Sequence, residues 1–145
     1  MNKRVLWVWV FMAVGVRHAG LAADDAGKSR SVCRIEDVRL SGHLGEKMSA
    51  CIANNVKTTD GSYLAAIFQK HEGTSDWKTE FWGKWMHGCV PAYRYTRDEA
   101  LKRNIDASVK AMLAAQRADG YIGNYKDECH LQGWDIWGRK YTMMG

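Results

Sequence analysis

Apolar side chains recur every three or four residues in several segments of this chain, which is the spacing of helices. This spacing predicts helices over residues 46–56, 63–71 and 80–95, and a fourth from Thr96 to the turn at Asp119-Gly120. Residues 38–40 (Val-Arg-Leu) alternate instead, which predicts a short strand or irregular entry segment before the first helix. The pattern as a whole is that of an all-α protein.

The third and fourth predicted helices differ in how their apolar residues are distributed. Residues 80–95 are apolar nearly all round, as expected for a helix buried on several sides, and Pro91 predicts a kink or an early end there. The fourth helix begins with a predicted capping box, Thr96 with Glu99. It carries one apolar stripe opposite a charged face, so we expect an outer helix with one side in water.

A short phrase occurs twice at a spacing that fits a helical repeat. Trp82-Gly83-Lys84-Trp85-Met86 returns 55 residues later as Trp137-Gly138-Arg139-Lys140-Tyr141-Thr142-Met143. That interval has room for one outgoing and one returning helix, so the second copy predicts another inner helix. Repeated pairs of inner and outer helices indicate a toroid of helical hairpins, of which residues 38–145 would be an incomplete opening part. A plain helical bundle is the alternative.

The first 22 residues have the layout of a secretory signal peptide. A basic start is followed by 12 apolar residues from Val5 to Val16 and by small residues at Gly20-Leu21-Ala22. Twelve apolar residues are too few to span a bilayer, so we expect no stable membrane span; an uncleaved interfacial anchor is the alternative. The sequence therefore predicts a signal peptide over 1–22, a flexible leader over 23–37 and a secreted or periplasmic location.

The net charge and the cysteine spacing indicate which partners and cofactors this chain is not expected to bind. The chain has a net charge of +5, but without Lys3, Arg4 and Arg17 it carries 18 basic and 16 acidic side chains. No basic stripe remains, and we expect no nucleic-acid partner. The four cysteines lie far apart without a paired spacing typical of zinc sites, so we assign no metal and no cofactor to this chain. In an oxidising compartment they could pair in three ways.

Aromatic and charged residues gather in the second half of the chain. All five tryptophans after the signal lie between Trp77 and Trp137. Flat apolar faces mixed with hydrogen-bonding groups suit a sugar ring, whose CH face stacks while its hydroxyls bond. Core packing is the alternative for the tryptophans, and structural ion pairs are the alternative for the lysines. The residues predicted to bind substrate are Glu80, Trp82, Lys84, Asp135, Trp137 and Lys140.

Three sequence blocks, in this order, resemble one known family. They are Trp77-Lys78-Thr79-Glu80-Phe81-Trp82-Gly83-Lys84-Trp85, Gln116-Arg117-Ala118-Asp119-Gly120-Tyr121-Ile122-Gly123-Asn124-Tyr125 and Trp134-Asp135-Ile136-Trp137-Gly138-Arg139-Lys140-Tyr141. Together they are similar to the amino-terminal part of glycoside hydrolase family 127, the β-L-arabinofuranosidase-like proteins. The resemblance covers roughly residues 38–145.

The resemblance implies an (α/α)6 catalytic barrel that hydrolyses glycosidic bonds in plant or host oligosaccharides or polysaccharides. In characterised members a zinc-bound cysteine is the nucleophile, but no cysteine here lies in the matching motif. The catalytic residues, and any zinc, are therefore expected beyond Gly145 in a full-length parent, and this chain alone is expected to be inactive. Two alternatives stay open: a polysaccharide lyase or other toroid carbohydrate enzyme, and a non-catalytic glycan-binding or decayed fragment.

Overall fold

The computed structural model describes residues 33–145, and every structural statement below concerns this part of the chain. The signal peptide predicted over 1–22 and the first ten residues of the predicted leader lie outside the described residues. The described part is helical, and within it the only β-type pairing is an isolated bridge between Gly73 and Tyr125. The elements are α1 (Gly42–Cys51), a π-helical turn (Ile52–Val56), α2 (Gly61–Ala65), a 3-10 turn (Ala66–Gln69), α3 (Glu80–Thr96), α4 (Glu99–Ala114) and α5 (Asp135–Met144).

The entry segment is irregular rather than extended into a strand. Val38–Leu40 has no neighbouring strand among the described residues, so the alternating pattern there was a wrong indication of β structure. The backbone N–H of Leu40 instead donates to the Tyr95 hydroxyl (3.1 Å) near the end of α3. The 3-10 turn Ile35–Asp37, in the last part of the predicted leader, is also tied to α3, because the Arg94 Nε donates to the Glu36 carboxylate (2.7 Å).

The junction between α3 and α4 differs from the prediction in two ways. α3 does not end at Pro91 but continues to Thr96. Pro91 has no N–H to donate to the carbonyl of His87, and because both residues are exposed, water can reach that carbonyl. Thr96 therefore belongs to α3, and its hydroxyl donates to the Ala92 carbonyl (2.8 Å). The N-cap of α4 is Asp98, whose carboxylate accepts from the Leu101 N–H (2.8 Å), so the predicted capping box was wrong by two residues.

The chain reverses direction between α3 and α4, as the hairpin prediction requires. Arg97 adopts a left-handed conformation (φ 57°) that ends α3. The Trp82 indole N–H, near the start of α3, donates to the Ser108 hydroxyl (2.6 Å) in the middle of α4, which places the two helices side by side. Ser108 is buried, whereas Lys102 and Asp106 pair with each other on the exposed side. The predicted outer helix with one wet face is confirmed.

The two inner helices, α3 and α5, run in the same direction and touch through the glycines of the repeated phrase. A Cβ on Gly83 would overlap the backbone of Tyr141, and a Cβ on Gly138 would overlap the Thr79 side chain. Because these contacts rise together in residue number, the helices are parallel. Parallel inner helices joined through an outer helix are what a toroid of hairpins requires, and the predicted all-α, partial toroid is confirmed.

The core lies between the inner and outer helices. Phe68, Trp82, Cys89 and Leu101 are at most 2% exposed within it, and the Trp82 ring packs edge-on against Phe68 with 6.1 Å between centroids. Among residues 33–145, none of the helices combines the length and the apolar character that crossing a membrane demands.

Candidate functional site

Four aromatic side chains form a continuous row on the surface where α3 begins and α5 packs beside it. We call Trp77, Trp134, Trp137 and Tyr141 the aromatic row. Successive ring centroids are 6.3, 6.0 and 5.2 Å apart, and each pair meets edge to face. Trp77 (51%), Trp134 (47%) and Trp137 (37%) are exposed. Large aromatic rings that stay exposed in a row are unusual for core packing and are typical of a binding surface.

Glu80 holds the aromatic row to α3. This side chain is buried, and its two carboxylate oxygens have different partners. Oε1 accepts from the Lys84 ammonium (2.8 Å) and Oε2 accepts from the Trp137 indole N–H. Burial acts to raise the pKa of Glu80, but these two hydrogen bonds outweigh it and hold the pKa below the ordinary value. Glu80 is therefore an ionised positioning group that fixes the Trp137 ring.

The two lysines of the repeated phrase lie over the rings of the row. The Lys140 Nζ is 4.5 Å from the Trp137 centroid and 4.8 Å from the Tyr141 centroid, and the Lys84 Nζ is 5.0 Å from the Tyr141 centroid. These distances are within the range of cation–π contacts. Lys84 also has Glu80 as an ion-pair partner, whereas Lys140 makes no ion pair within the described residues. Lys140 thus leaves an uncompensated positive charge beside two aromatic faces.

Asp135 is placed differently, below the surface at the start of α5. It is 3% exposed and accepts hydrogen bonds from the Tyr121 hydroxyl (2.9 Å), the Leu131 N–H (2.7 Å) and the Arg139 guanidinium (3.1 Å from Nε). Burial opposes ionisation, yet these donors, with Arg139 the strongest, keep the pKa of Asp135 below its usual value. Asp135 therefore stabilises the loop before α5, and both of its oxygens are buried against internal donors.

Trp82 is also placed in the interior rather than at the surface. It is 2% exposed, and its indole N–H is satisfied by Ser108. Of the six residues predicted to bind substrate, the structure thus brings Glu80, Lys84, Trp137 and Lys140 together at the row. It places Trp82 and Asp135 in the core, where they support α3 and α5. Whether any of the six contacts a substrate stays a prediction.

Three of the four members of the row were not predicted from the sequence as substrate-binding residues. Trp77 precedes α3 by three residues, Trp134 is the N-cap of α5, and Tyr141 is one turn after Trp137. A tryptophan precedes each copy of the repeated phrase, Trp77 by five residues and Trp134 by three. This similarity is a weak sequence indication that the two residues have related positions. No sequence pattern shows that both rings face solvent, because that depends on how the loops approach the helices.

The carboxylates near the row do not form an acid and base pair. Glycoside hydrolysis generally uses one carboxyl whose raised pKa keeps it protonated and a second that is ionised. Glu80 and Asp135 both have lowered pKa values and are both occupied by internal donors. The described residues also gather no three His, Cys, Asp or Glu side chains that could hold a metal ion. We therefore derive no catalytic step from residues 33–145.

The cysteines are dispersed as the sequence suggested. Cys33 and Cys51 are exposed, Cys129 is partly buried and Cys89 is fully buried, and all four are free thiols. Burial raises the pKa of Cys89 to about 12, so its thiol stays protonated and unreactive at neutral pH. Cys89 packs as a core residue.

The packing of α3, α4 and α5 is that of a partial helical toroid. Residues 27–144 match the family described as beta-L-arabinofuranosidase, GH127 catalytic domain, and the chain belongs to this family. The resemblance inferred from the three sequence blocks is confirmed, and with it the assignment to the glycoside hydrolases and to a carbohydrate substrate. No curated protein and no solved structure gives a significant match.

Proposed function

We propose that this chain supplies part of the substrate-binding surface of an exported glycoside hydrolase that acts on plant or host glycans. The observation that carries the proposal is the exposed aromatic row, in which Glu80 fixes Trp137. A sugar ring stacks its CH face on an indole, and Lys84 and Lys140 offer hydrogen-bond donors to its hydroxyls. Family membership supplies the reaction class, hydrolysis of glycosidic bonds.

We also propose that the catalytic groups and further helices belong to a larger parent protein. The support comes from α5 and the loop before it, where Leu131, Ile136, Met143 and Met144 are each more than half exposed. With the alkyl parts of Arg139 and Lys140 they line a mostly apolar depression of about 480 Å³. Exposed apolar patches of this kind usually mark a surface that another element covers. A following helical hairpin of the toroid would cover it.

The proposal about the row is tested by paired substitutions at Trp134 and Trp137. Leu at either position removes the π face, whereas Phe keeps it. We expect Trp137→Leu and Trp134→Leu to weaken glycan binding about tenfold, which corresponds to about 1.4 kcal/mol. The Phe variants should retain most of the binding because they keep an aromatic face. Leu113→Ala, which removes an exposed apolar side chain on α4, is the control.

Affinity electrophoresis through gels containing a neutral arabinan, galactan or xylan measures this binding without knowledge of the sugar. Equal mobility of the Leu variants and the wild type in every gel that retards the wild type would overturn the proposal. Product analysis with the full-length parent then separates the reaction classes. A hydrolase releases saturated sugars, whereas the alternative lyase would leave an unsaturated ring.

A further inference from the structure

A second concave surface lies beside the aromatic row, between α2 with its following 3-10 turn and the start of α3. Its larger cavity has a volume of about 280 Å³ and is lined by Tyr63, Leu64, Ile67, Phe81, Lys70 and Lys78. We call this cavity the lysine groove. It adjoins the aromatic row, because Lys78 follows Trp77 directly and Phe81 lies one turn further along α3. Ligand pockets commonly measure about 300–1,000 Å³, so the groove suits a single sugar unit.

The charged side chains that line the 280 Å³ cavity are both positive. Lys70 and Lys78 make no ion pair with any described residue. No acidic side chain lines the 280 Å³ cavity. Two ammonium groups that share one concavity repel each other and gain from an anion placed between them. Their presence in an apolar setting therefore favours a ligand that carries a negative charge.

The same two lysines also line a smaller neighbouring cavity of about 220 Å³ that contains the nearest acids, Glu72 and Asp76. Asp76 is engaged, since its Oδ1 accepts from the Asn124 amide (3.0 Å) and from the Lys78 N–H (3.2 Å). Asn124 is 2% exposed, and its Oδ1 is buried without a partner. This end of the concavity thus provides acceptors for hydroxyl groups, next to the cationic part.

The apolar residues that line the lysine groove are the third feature that a ligand would contact, after the lysines and the hydrogen-bond acceptors. Tyr63 and Phe81 are exposed at the cavity, and Leu64 and Ile67 are partly buried beneath. Aromatic and aliphatic surface is what the CH face of a pyranose prefers. A ligand that fits all three parts has an apolar ring face, hydroxyl donors and one negative charge.

We propose that the lysine groove binds an acidic sugar unit, with its carboxylate between Lys70 and Lys78 and its ring against Phe81 and Tyr63. This inference rests on the proposed glycan function and makes the substrate an anionic polysaccharide. The acidic unit lies in the groove while neighbouring units of the same chain contact the aromatic row. Glu72, in the neighbouring cavity, accepts hydroxyl groups of the bound unit.

The experiment compares the full chain in affinity gels that contain polygalacturonate and in gels that contain the same polymer fully methyl-esterified. The two polymers share the sugar and the linkage and differ in charge. A parallel pair of gels contains alginate and a neutral galactan. We expect at least fivefold stronger retardation by a polyuronate than by its neutral partner, and this difference should shrink between 20 and 300 mM NaCl because salt screens exposed charges.

The variant Lys70→Gln/Lys78→Gln should lose the preference for the charged polymer while its retardation by neutral glycan stays unchanged. The control Lys47→Gln/Lys110→Gln removes the same charge from two exposed lysines on α1 and α4, which should leave the preference intact. Circular dichroism confirms that both double variants fold.

Equal retardation by charged and neutral polymers, or an equal loss of preference in the control, would overturn the acidic-sugar proposal. That result differs from failure of the proposed glycan function. In the latter case no polymer retards the chain and substitutions in the aromatic row change nothing. A chain that binds neutral glycan through the row without preference for charge would retain the proposed function and reject the lysine groove.

Discussion

Gly138 of α5 packs directly against the side chain of Thr79, the residue before α3, with no room for a methyl group between them. One turn further along the same pair of helices, Gly83 packs equally closely against the backbone of Tyr141. The glycine in each copy of the repeated phrase therefore marks a helix crossing. The repeated phrase thus allows the close packing of α3 against α5, and the aromatic row lies on the surface beside this contact.

Gly83→Ala should destabilise the fold because its methyl group would meet backbone atoms that cannot rotate away. We expect a loss of about 1–3 kcal/mol in the free energy of unfolding, and a smaller loss for Gly138→Ala because the Thr79 side chain can turn. Gly88→Ala on the same helix is the matched control, since nothing lies within 4 Å of its added methyl group. That variant should be neutral or gain about 0.5–1 kcal/mol from helix propensity. Urea unfolding followed by circular dichroism measures all three, and equal values for Gly83→Ala and Gly88→Ala would refute the crossing.

Trp82 and Trp137 begin the two copies of the phrase, but substitution should affect stability at Trp82 and glycan affinity at Trp137. Trp82→Phe removes the indole that donates to Ser108 and leaves space in the core, so we expect a loss of about 1–3 kcal/mol of stability and unchanged glycan affinity in the folded protein. Trp137→Leu should change glycan affinity more than stability. Thermal unfolding and affinity electrophoresis on the same preparations separate the two roles. A fall in affinity for Trp82→Phe without a fall in stability would place Trp82 at the surface.

Asp135→Asn should weaken the loop that leads into α5. The substitution leaves the Arg139 guanidinium without its anion and alters a buried acceptor for Tyr121, so we expect a loss of about 1.5–3 kcal/mol. Asp106→Asn is the control, because Asp106 pairs with Lys102 on the exposed face of α4, where such pairs contribute about 0–1 kcal/mol. Chemical denaturation of both variants measures the difference. Equal costs would mean that Asp135 is not a structural centre.

Acid should weaken the contact between the entry segment and α3. The hydrogen bond from Arg94, the largest cause, lowers the pKa of Glu36 to about 2, below the ordinary value of 4.5. A carboxylate with a lowered folded-state pKa stabilises the fold above about pH 4.5 and loses that contribution as pH falls toward 2. The melting temperature of the wild type should therefore fall more steeply between pH 4.5 and 2.5 than that of Glu36→Gln. Parallel pH profiles would show that the contact contributes nothing in solution.

The helices and their order could be predicted from the sequence because burial imposes a period of three to four residues on each of them. The start of α3 at Glu80 and the single wet face of α4 are examples. The absence of a strand at residues 38–40 could not be predicted from the alternating pattern alone. A strand needs a pairing partner, and the segment itself does not show whether a partner lies beside it. The capping residue was misplaced because Thr96 and Asp98 are both good caps, and the length of α3 decides between them.

The residues of the candidate site could be predicted from the sequence only in part. For Lys84 the structure shows the alternative that the sequence left open, an ion pair, with Glu80 as the partner and the indole of Trp137 as a second donor to Glu80. The sequence could not separate Trp82 from Trp137, because both occupy the same place in the repeat. The two tryptophans differ because the outer helix α4 packs against α3. Ser108 of α4 covers Trp82 and accepts a hydrogen bond from its indole. Burial of one copy and exposure of the other is a tertiary effect.

The parallel course of α3 and α5 has an evolutionary consequence. Both inner helices begin at the same edge of the molecule, while Gly83 and Gly138 form the close contact between them. Under the proposed function, residues at that edge, such as Trp77 or Trp134, can be exchanged without disturbing the contact between the helices. The proposed binding surface and the helix contact can therefore change independently of each other.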